Sequence, residues 1–326
     1  MRFSHLALAT VALLWTAPHA QAAHSCKQGK AKGTFTEIAV PGADETNVTG
    51  IADDGAVVGV YRAGDVTTSF VLNGGMYTDV HIAGSTTTRV FDINSSGVMA
   101  GSYDDAVGTG HHGFIWQDGT VTTIDVPGAI ATSVHGINDA GTVVGLYLVP
   151  GGEDGVEHGF VYQDGEFQTV DYPGSPSGTL LDINNAGTAL GGYSTPTPPA
   201  YFLYTAAGAF STVPVCAPQT NLVKISNQGD LIGSMPSGIN TRVGMVATDR
   251  GLLVVQAPGA SSSVLAAGNA GGTLVGEYWD AANYHHSFMN ANSPSVVIGI
   301  TQQSHAPAPT MVLQPSFTHI RNGSPM

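Results

Sequence analysis

Histidines and carboxylates crowd into a few short stretches of this sequence. Asp104 and Asp105 precede His111 and His112; Glu153, Asp154 and Glu157 precede His158; Asp280 precedes His285 and His286. Imidazole beside carboxylate can hold a metal ion or pass a proton to and from a substrate, because the two groups titrate on either side of weakly acidic pH. His112, His158 and His286 recur at one place in a repeated run, HGF, HGF and HSF. That recurrence assigns them to structure, as donors to a neighbouring loop backbone. His111, His285, Asp105 and Glu157 are not dictated by the repeat, so they are the candidates for acid–base catalysis. Glu153, Asp154 and Glu157 form a clustered oxygen set that could take calcium, the one cofactor this sequence suggests. EF-hand spacing, HExxH, Cys–His zinc spacing and the GxSxG nucleophile pattern are all missing from the sequence.

Aromatic residues offer binding rather than catalysis. Tyr61, Tyr103, Tyr147, Tyr193 and Tyr278 each close the same recurring phrase, and Trp279 follows the last of them without a repeat partner. A tyrosine or tryptophan presents an apolar ring face and a polar edge, which suits the face of a sugar. A rim of tyrosines with Trp279 in a loop is therefore the candidate ligand-binding surface.

The recurring phrase dictates the elements that must carry these groups. GINDAGTVVGLY (136–147) returns as GIADDGAVVGVY, DINSSGVMAGSY, DINNAGTALGGY and KISNQGDLIGSM, with a degenerate sixth copy, GNAGGTLVGEY. Its second glycine falls at Gly59, Gly101, Gly145, Gly191, Gly233 and Gly276, in steps of 42, 44, 46, 42 and 43. A β-rich period of this size indicates a propeller or a solenoid. Each unit holds four short β-favouring runs split by Asn-Asp-Ala-Gly, Asp-Gly and Pro-Gly turns, so the unit reads as a four-stranded antiparallel blade. The last unit lacks its final strand, and GTFTEIAVPGA (33–43) supplies a matching orphan. The reading is an all-β fold: a six-bladed propeller over 33–291, closed by an N-terminal strand that completes the last blade. The 1–22 segment, a 23–32 lead-in and a partly flexible 292–326 tail lie outside it. Gly145-type positions are expected to permit close backbone approach, and Ile137, Val143 and Leu146 to pack between blades.

The opening MRFSHLALATVALLWTAPHAQAA has one arginine, a short apolar run and an Ala-Gln-Ala cleavage pattern, the form of a secretory signal peptide. A secreted chain, periplasmic or extracellular, is expected. Its two cysteines, Cys26 and Cys216, then read as one disulfide. Net charge is −14 and only 10% of residues are charged, against about 25% in ordinary domains. An acidic chain repels nucleic acid and anionic membranes, so neither is an expected partner; no later segment is apolar enough to insert in a bilayer, and a monomer is expected.

The G-I-N-[DN]-x-G-x-x-x-G-x-Y phrase, the H-G-F run (His112–Phe114, His158–Phe160) and the D-x-P-G close (Asp125–Gly128, Asp171–Gly174) resemble the HAF-type extracellular repeat family of bacteria. The likeness covers nearly all of the chain after the signal segment, although HGF becomes AYF, VGM and HSF in the last three units. It implies secretion and a propeller-like β fold and no settled activity. On the residues, a non-catalytic module binding an extracellular glycan or surface protein is the leading expectation. A hydrolase or lyase using His111, His285 and Asp105 or Glu157 at the central channel is the alternative, and a passive envelope or matrix component is the third.

Overall fold

The computed structural model describes residues 26, 28–31, 33–106, 110–151, 155–194 and 200–291. Among them every regular element is a strand. Two short strands come first, β1 (Gln28–Lys30) and β2 (Thr34–Ile38). The remainder runs as consecutive meanders, in which each strand pairs antiparallel with the next. The first is β3 (Glu45–Ile51), β4 (Val57–Ala63), β5 (Val66–Asn73) and β6 (Met76–Val80). The second is β7 (Thr87–Ile93), β8 (Met99–Asp104), β9 (His111–Gln117) and β10 (Thr120–Ile124). The third is β11 (Ala131–Ile137), β12 (Val143–Val149), β13 (Val156–Gln163) and β14 (Glu166–Thr169). The fourth is β15 (Gly178–Ile183), β16 (Ala189–Tyr193), β17 (Ala200–Tyr204) and β18 (Phe210–Val213). The fifth is β19 (Asn221–Ile225), β20 (Leu231–Gly238), β21 (Thr241–Thr248) and β22 (Gly251–Val255). The last, β23 (Ser262–Gly268), β24 (Leu274–Trp279) and β25 (His285–Ala291), is completed by β2, which pairs antiparallel with β25 from Thr34–Ala291 to Ile38–Ser287. The N-terminal strand therefore supplies the strand that the last repeat lacks, and the fold is all-β and propeller-like.

Not every sheet stays separate or four-stranded. One parallel pair, Ala131 with His111, joins the second and third meanders into an eight-stranded sheet. The fifth gains β1, parallel to β22, because the disulfide between Cys26 and Cys216 (Cα–Cα 5.6 Å) holds the N-terminal segment at its outer edge.

The core lies between meanders. Val144 of the third packs with Leu180, Ile183 and Phe202 of the fourth, and Ala267 and Val275 of the last pack with Val48, Val57 and Phe70 of the first. The apolar contact thus runs from the last meander back to the first. Phe70, Phe114, Phe160, Phe202 and Phe288 hold one place in their meanders and are fully buried, each worth about 1.5–3 kcal/mol in apolar area. Beneath them lies the second glycine of the phrase. A β-bulge in each innermost strand, between Val134 and Gly136 in β11, brings that strand's carbonyls over the facing strand. A Cβ on Gly145 would collide with the Ser133 carbonyl, and one on Gly101 with that of Arg89. Of the positions expected between meanders, Ile137 and Val143 are buried, whereas Leu146 is half-exposed.

Hairpin tips are shorter than the sequence suggests. Asp104 pairs with His111 and Trp279 with His285, so His111, His112, His158, Glu157, Trp279, His285 and His286 all lie on strands instead of loops. The ladders run on because the residues flanking each tip still alternate, and the turn is made by only a few residues: Asp280 Oδ1 accepts the Ala282 and Tyr284 N–H groups, and Asn283 takes φ 66°. Glu153, Asp154 and the 292–326 tail lie outside the described residues.

Candidate functional site

Antiparallel order fixes two faces. The turns after the first and third strands of each meander lie on one, the turn face. The hairpins after the second strands, and the links between meanders, lie on the other, the hairpin face.

On the hairpin face the candidate histidines form separate pairs. His111 Nδ1 lies 2.7 Å from Asp104 Oδ1, and Arg89 approaches the same carboxylate at 3.5 Å. Burial opposes ionisation of Asp104, but the His111 hydrogen bond and the charges of His111 and Arg89 outweigh it and hold the carboxyl below its ordinary value. The backbone of His111 also makes the bridge to Ala131. Asp105 turns the chain after β8, its N–H donating to the Gly110 carbonyl, and exposed Glu157 stands opposite Leu148. The partner of His111 is thus Asp104, not Asp105 or Glu157.

His285 Nε2 lies 3.3 Å from Glu277 Oε2, and its Nδ1 is 3.6 Å from Glu45 Oε1 of the neighbouring meander. The Glu277 hydrogen bond and the two carboxylate charges outweigh burial and raise the imidazole above its ordinary value. Its Nδ1 is buried without a hydrogen bond, and the Trp279 ring lies 5.0 Å away. Arg62 stands 3.7 Å from both Asp44 and Glu45.

The repeat histidines bond side chains, not loop backbone. His112 bonds Asp125 and His158 bonds Asp171, both at 2.8 Å, and His286 bonds Glu37 at 2.9 Å. Each ring lies against the tyrosine that closes the phrase: Tyr103, Tyr147 and Tyr278, at 5.0, 5.4 and 4.7 Å. The D-x-P-G aspartates thus anchor imidazoles. Tyrosine hydroxyls point outward within their own meanders, Tyr61 to Asp79, Tyr103 to Thr123 and Tyr147 to Thr169, while Tyr193 stacks on Tyr172 at 4.1 Å.

The hairpin face also exposes apolar side chains. Tyr284 (68% exposed), Val66 (62%) and Ile239 (94%) sit at the hairpin tips of the last, first and fifth meanders, which are neighbours, and Ile130 and Val215 are exposed in links on the same face. Half-buried Trp279 lies beside Tyr284.

The turn face holds a feature that sequence reasoning missed. Every innermost strand ends around one polar pocket lined by Asp53, Asp92, Asp139, Asp182, Lys224 and the turn asparagines. Lys224 of β19 reaches Asp92 of β7 at 2.9 Å and Asp182 of β15 at 3.3 Å, all three nearly buried. Asp92 Oδ2 accepts the Ile137 N–H and Asp182 Oδ2 that of Ile225. Around them runs a ring of bonds between meanders. Asn94 donates to the Asn138 carbonyl, Asn138 to that of Asn184, Asn184 to that of Ser226, and Asn269 to that of Ala52. The sequence did carry a signal: Lys224 is the sole lysine after Lys32, and the place before I-N reads Gly50, Asp92, Gly136, Asp182, Lys224.

No protein-family model matches the chain, and no curated protein does. Solved structures do. A candidate gluconolactonase is 14% identical with TM-score 0.52, covering 80% of this chain and 93% of its own. The β-propeller domain of the Trilobed protease from Pyrococcus furiosus is 10% identical with TM-score 0.49, covering 83% and 95%. An inactive virginiamycin B lyase from Staphylococcus aureus, solved with quinupristin, is 14% identical with TM-score 0.47, covering 79% and 88%. At such identities the likeness is one of fold. Among the described residues no group of three or more His, Cys, Asp or Glu is placed to hold a metal ion.

Proposed function

We propose that this chain is a secreted, six-bladed propeller of the HAF type and a non-catalytic module that binds an extracellular glycan through its hairpin face. The six meanders, the N-terminal strand in the last of them and the apolar contact from last to first support the blade count. The observation that carries the function is the exposure of Tyr284, Val66 and Ile239 on three neighbouring hairpin tips, with half-buried Trp279 in the same hairpin as Tyr284. Exposed apolar side chains gathered on one face mark a recognition surface. Around them stand carboxylates and Arg62, which supply hydrogen bonds for hydroxyl groups. The repeat histidines, by contrast, are engaged within their blades.

The test is retention of the protein on a panel of insoluble bacterial and plant polysaccharides, with product analysis. Retention without products, lost in Trp279→Ala and Tyr284→Ala but kept in His111→Ala, is the expected result. Silence across the panel overturns the glycan reading. A second reading, a hydrolase or lyase, is favoured by one observation: His285 has raised basicity, two carboxylates and an unbonded Nδ1. Released products that disappear in His285→Ala would establish it.

A further inference from the structure

The six innermost strands bring unequal charge to the axis. β3 contributes Thr49 and Gly50, and β23 contributes Ala266 and Ala267; none of these ionises. β7 brings Asp92, β15 Asp182, β19 Lys224 and β11 His135. His135 donates from Nδ1 to the Leu180 carbonyl at 3.1 Å, and burial lowers it to about 4, so it is neutral. Beyond the cluster, at the pocket mouth, Asp53 and Asp139 add carboxylates from the turns. Lys224 Nζ has three acceptors, Asp92, Asp182 and the His135 carbonyl at 3.5 Å. Two buried carboxylates therefore share one ammonium, which leaves one negative charge uncompensated. A buried, uncompensated charge is costly, and the group responds by binding a proton.

We propose that Asp92, Lys224 and Asp182 form a proton-dependent latch: with one proton bound the cluster is neutral and ties the second to fifth meanders together, and without it a buried negative charge loosens them. The ties are physical. Lys224 links the fifth meander to the second and fourth, Asp92 caps Ile137 of the third, and Asp182 caps Ile225 of the fifth. Burial, with the charge of Asp92, raises the Asp182 carboxyl to about 7 against the pull of Lys224. Burial opposes the ammonium, yet the charges of Asp182 and Asp92 outweigh it and raise Lys224. Both directions lead to one proton on the carboxyl pair with the lysine still charged.

A carboxyl raised in the folded state contributes stability that is fully present below its unfolded value and is lost as pH rises through its folded value. For Asp182 that window runs from 3.8 to about 7. His135 works the other way below 6.5, losing stability as pH falls through about 4. The wild-type profile alone therefore mixes two opposed slopes, and a site-specific readout is needed. The experiment is a carbon NMR titration of the Asp92 and Asp182 side-chain carboxyls in the intact protein, with thermal unfolding of Asp182→Asn alongside. Expected is one carboxyl midpoint near pH 7, and an Asp182→Asn melting temperature that gains on wild type between pH 5 and pH 8. Both carboxyls titrating below pH 5 overturns the latch, since both are then ionised throughout. So does a wild-type melting temperature at pH 8 that rises with potassium but not with tetramethylammonium at equal ionic strength, because a bound cation would then be neutralising the cluster. If Asp182→Asn does not fold, the titration of the wild-type protein decides alone.

Discussion

Replacing Asn184 tests why the phrase GINDAG is repeated. Its side chain is almost fully buried and makes three bonds. Oδ1 accepts the N–H groups of Ala186 (3.1 Å) and Thr188 (3.0 Å), closing its own turn, and Nδ2 donates to the Ser226 carbonyl of the next meander (3.2 Å). Truncation to alanine strands three backbone groups at about 1 kcal/mol each, or about 3 kcal/mol in all. The protein supplies its own control in the fifth meander, where Ser226 holds the equivalent place. Its Oγ accepts from Gln228 (3.2 Å) and Asp230 (3.0 Å), closing the turn but reaching no neighbour. Asn184→Ser should therefore keep two bonds, lose the one between meanders and cost about 1 kcal/mol. Urea unfolding at constant m-value measures both. An Asn184→Ser variant as stable as wild type would show that the bond between meanders contributes nothing, and equal losses for alanine and serine would show the same of the two turn bonds. A loss below about 1 kcal/mol for alanine would show that water satisfies the turn, and the repeat would need another explanation.

Gly145→Ala drives a Cβ into the Ser133 carbonyl and should cost about 3 kcal/mol or more, seen as loss of cooperative unfolding or of soluble protein. Phe202→Ala empties a fully buried ring site and should cost about 3–5 kcal/mol in the same assay. Reducing Cys26–Cys216, a crosslink across 190 residues, should lower stability by up to about 5 kcal/mol on the chain-entropy model, with a matching fall in melting temperature. His135→Gln removes a group that burial keeps neutral down to about pH 4. The variant should lose less stability than wild type between pH 6.5 and 4, and a parallel pair of curves would refute that.

The strand pattern was legible because it repeats. Six phrases in one register expose the turns, the glycine contacts and the missing final strand together, and β2 on β25 follows from matching two half-units. What the repeat hid is whatever departs from it. Asp92, Asp182 and Lys224 occupy one repeat position filled by different residue types, so no motif search collects them, and only the ring brings them together across 42 to 132 residues of chain. β1 escaped because parallel pairing to β22 carries no local signal. Trp279 reads as a loop residue because side chains at a hairpin end look alike whether the ladder continues or stops, and the structure pairs it with His285. The partners of His112 and His158 were visible as the D-x-P-G aspartates, 13 residues on. Their pairing with imidazole is not a local signal, because it needs the register between third and fourth strands.

The strand that completes the last meander comes from the start of the chain, and this sets an order of assembly. Thr36 meets Met289 across 253 residues, so β2 must wait, unpaired, until nearly the whole chain has been delivered. Cys216 arrives well before β25 does. Once Cys26 is joined to it, β2 is moored on the fifth meander, beside the place where the sixth will form. The loop left to close then shrinks to roughly a third, easing ring closure by about 1 kcal/mol. The disulfide that braces the finished protein thus also shortens the span of chain that β2 must close to reach β25.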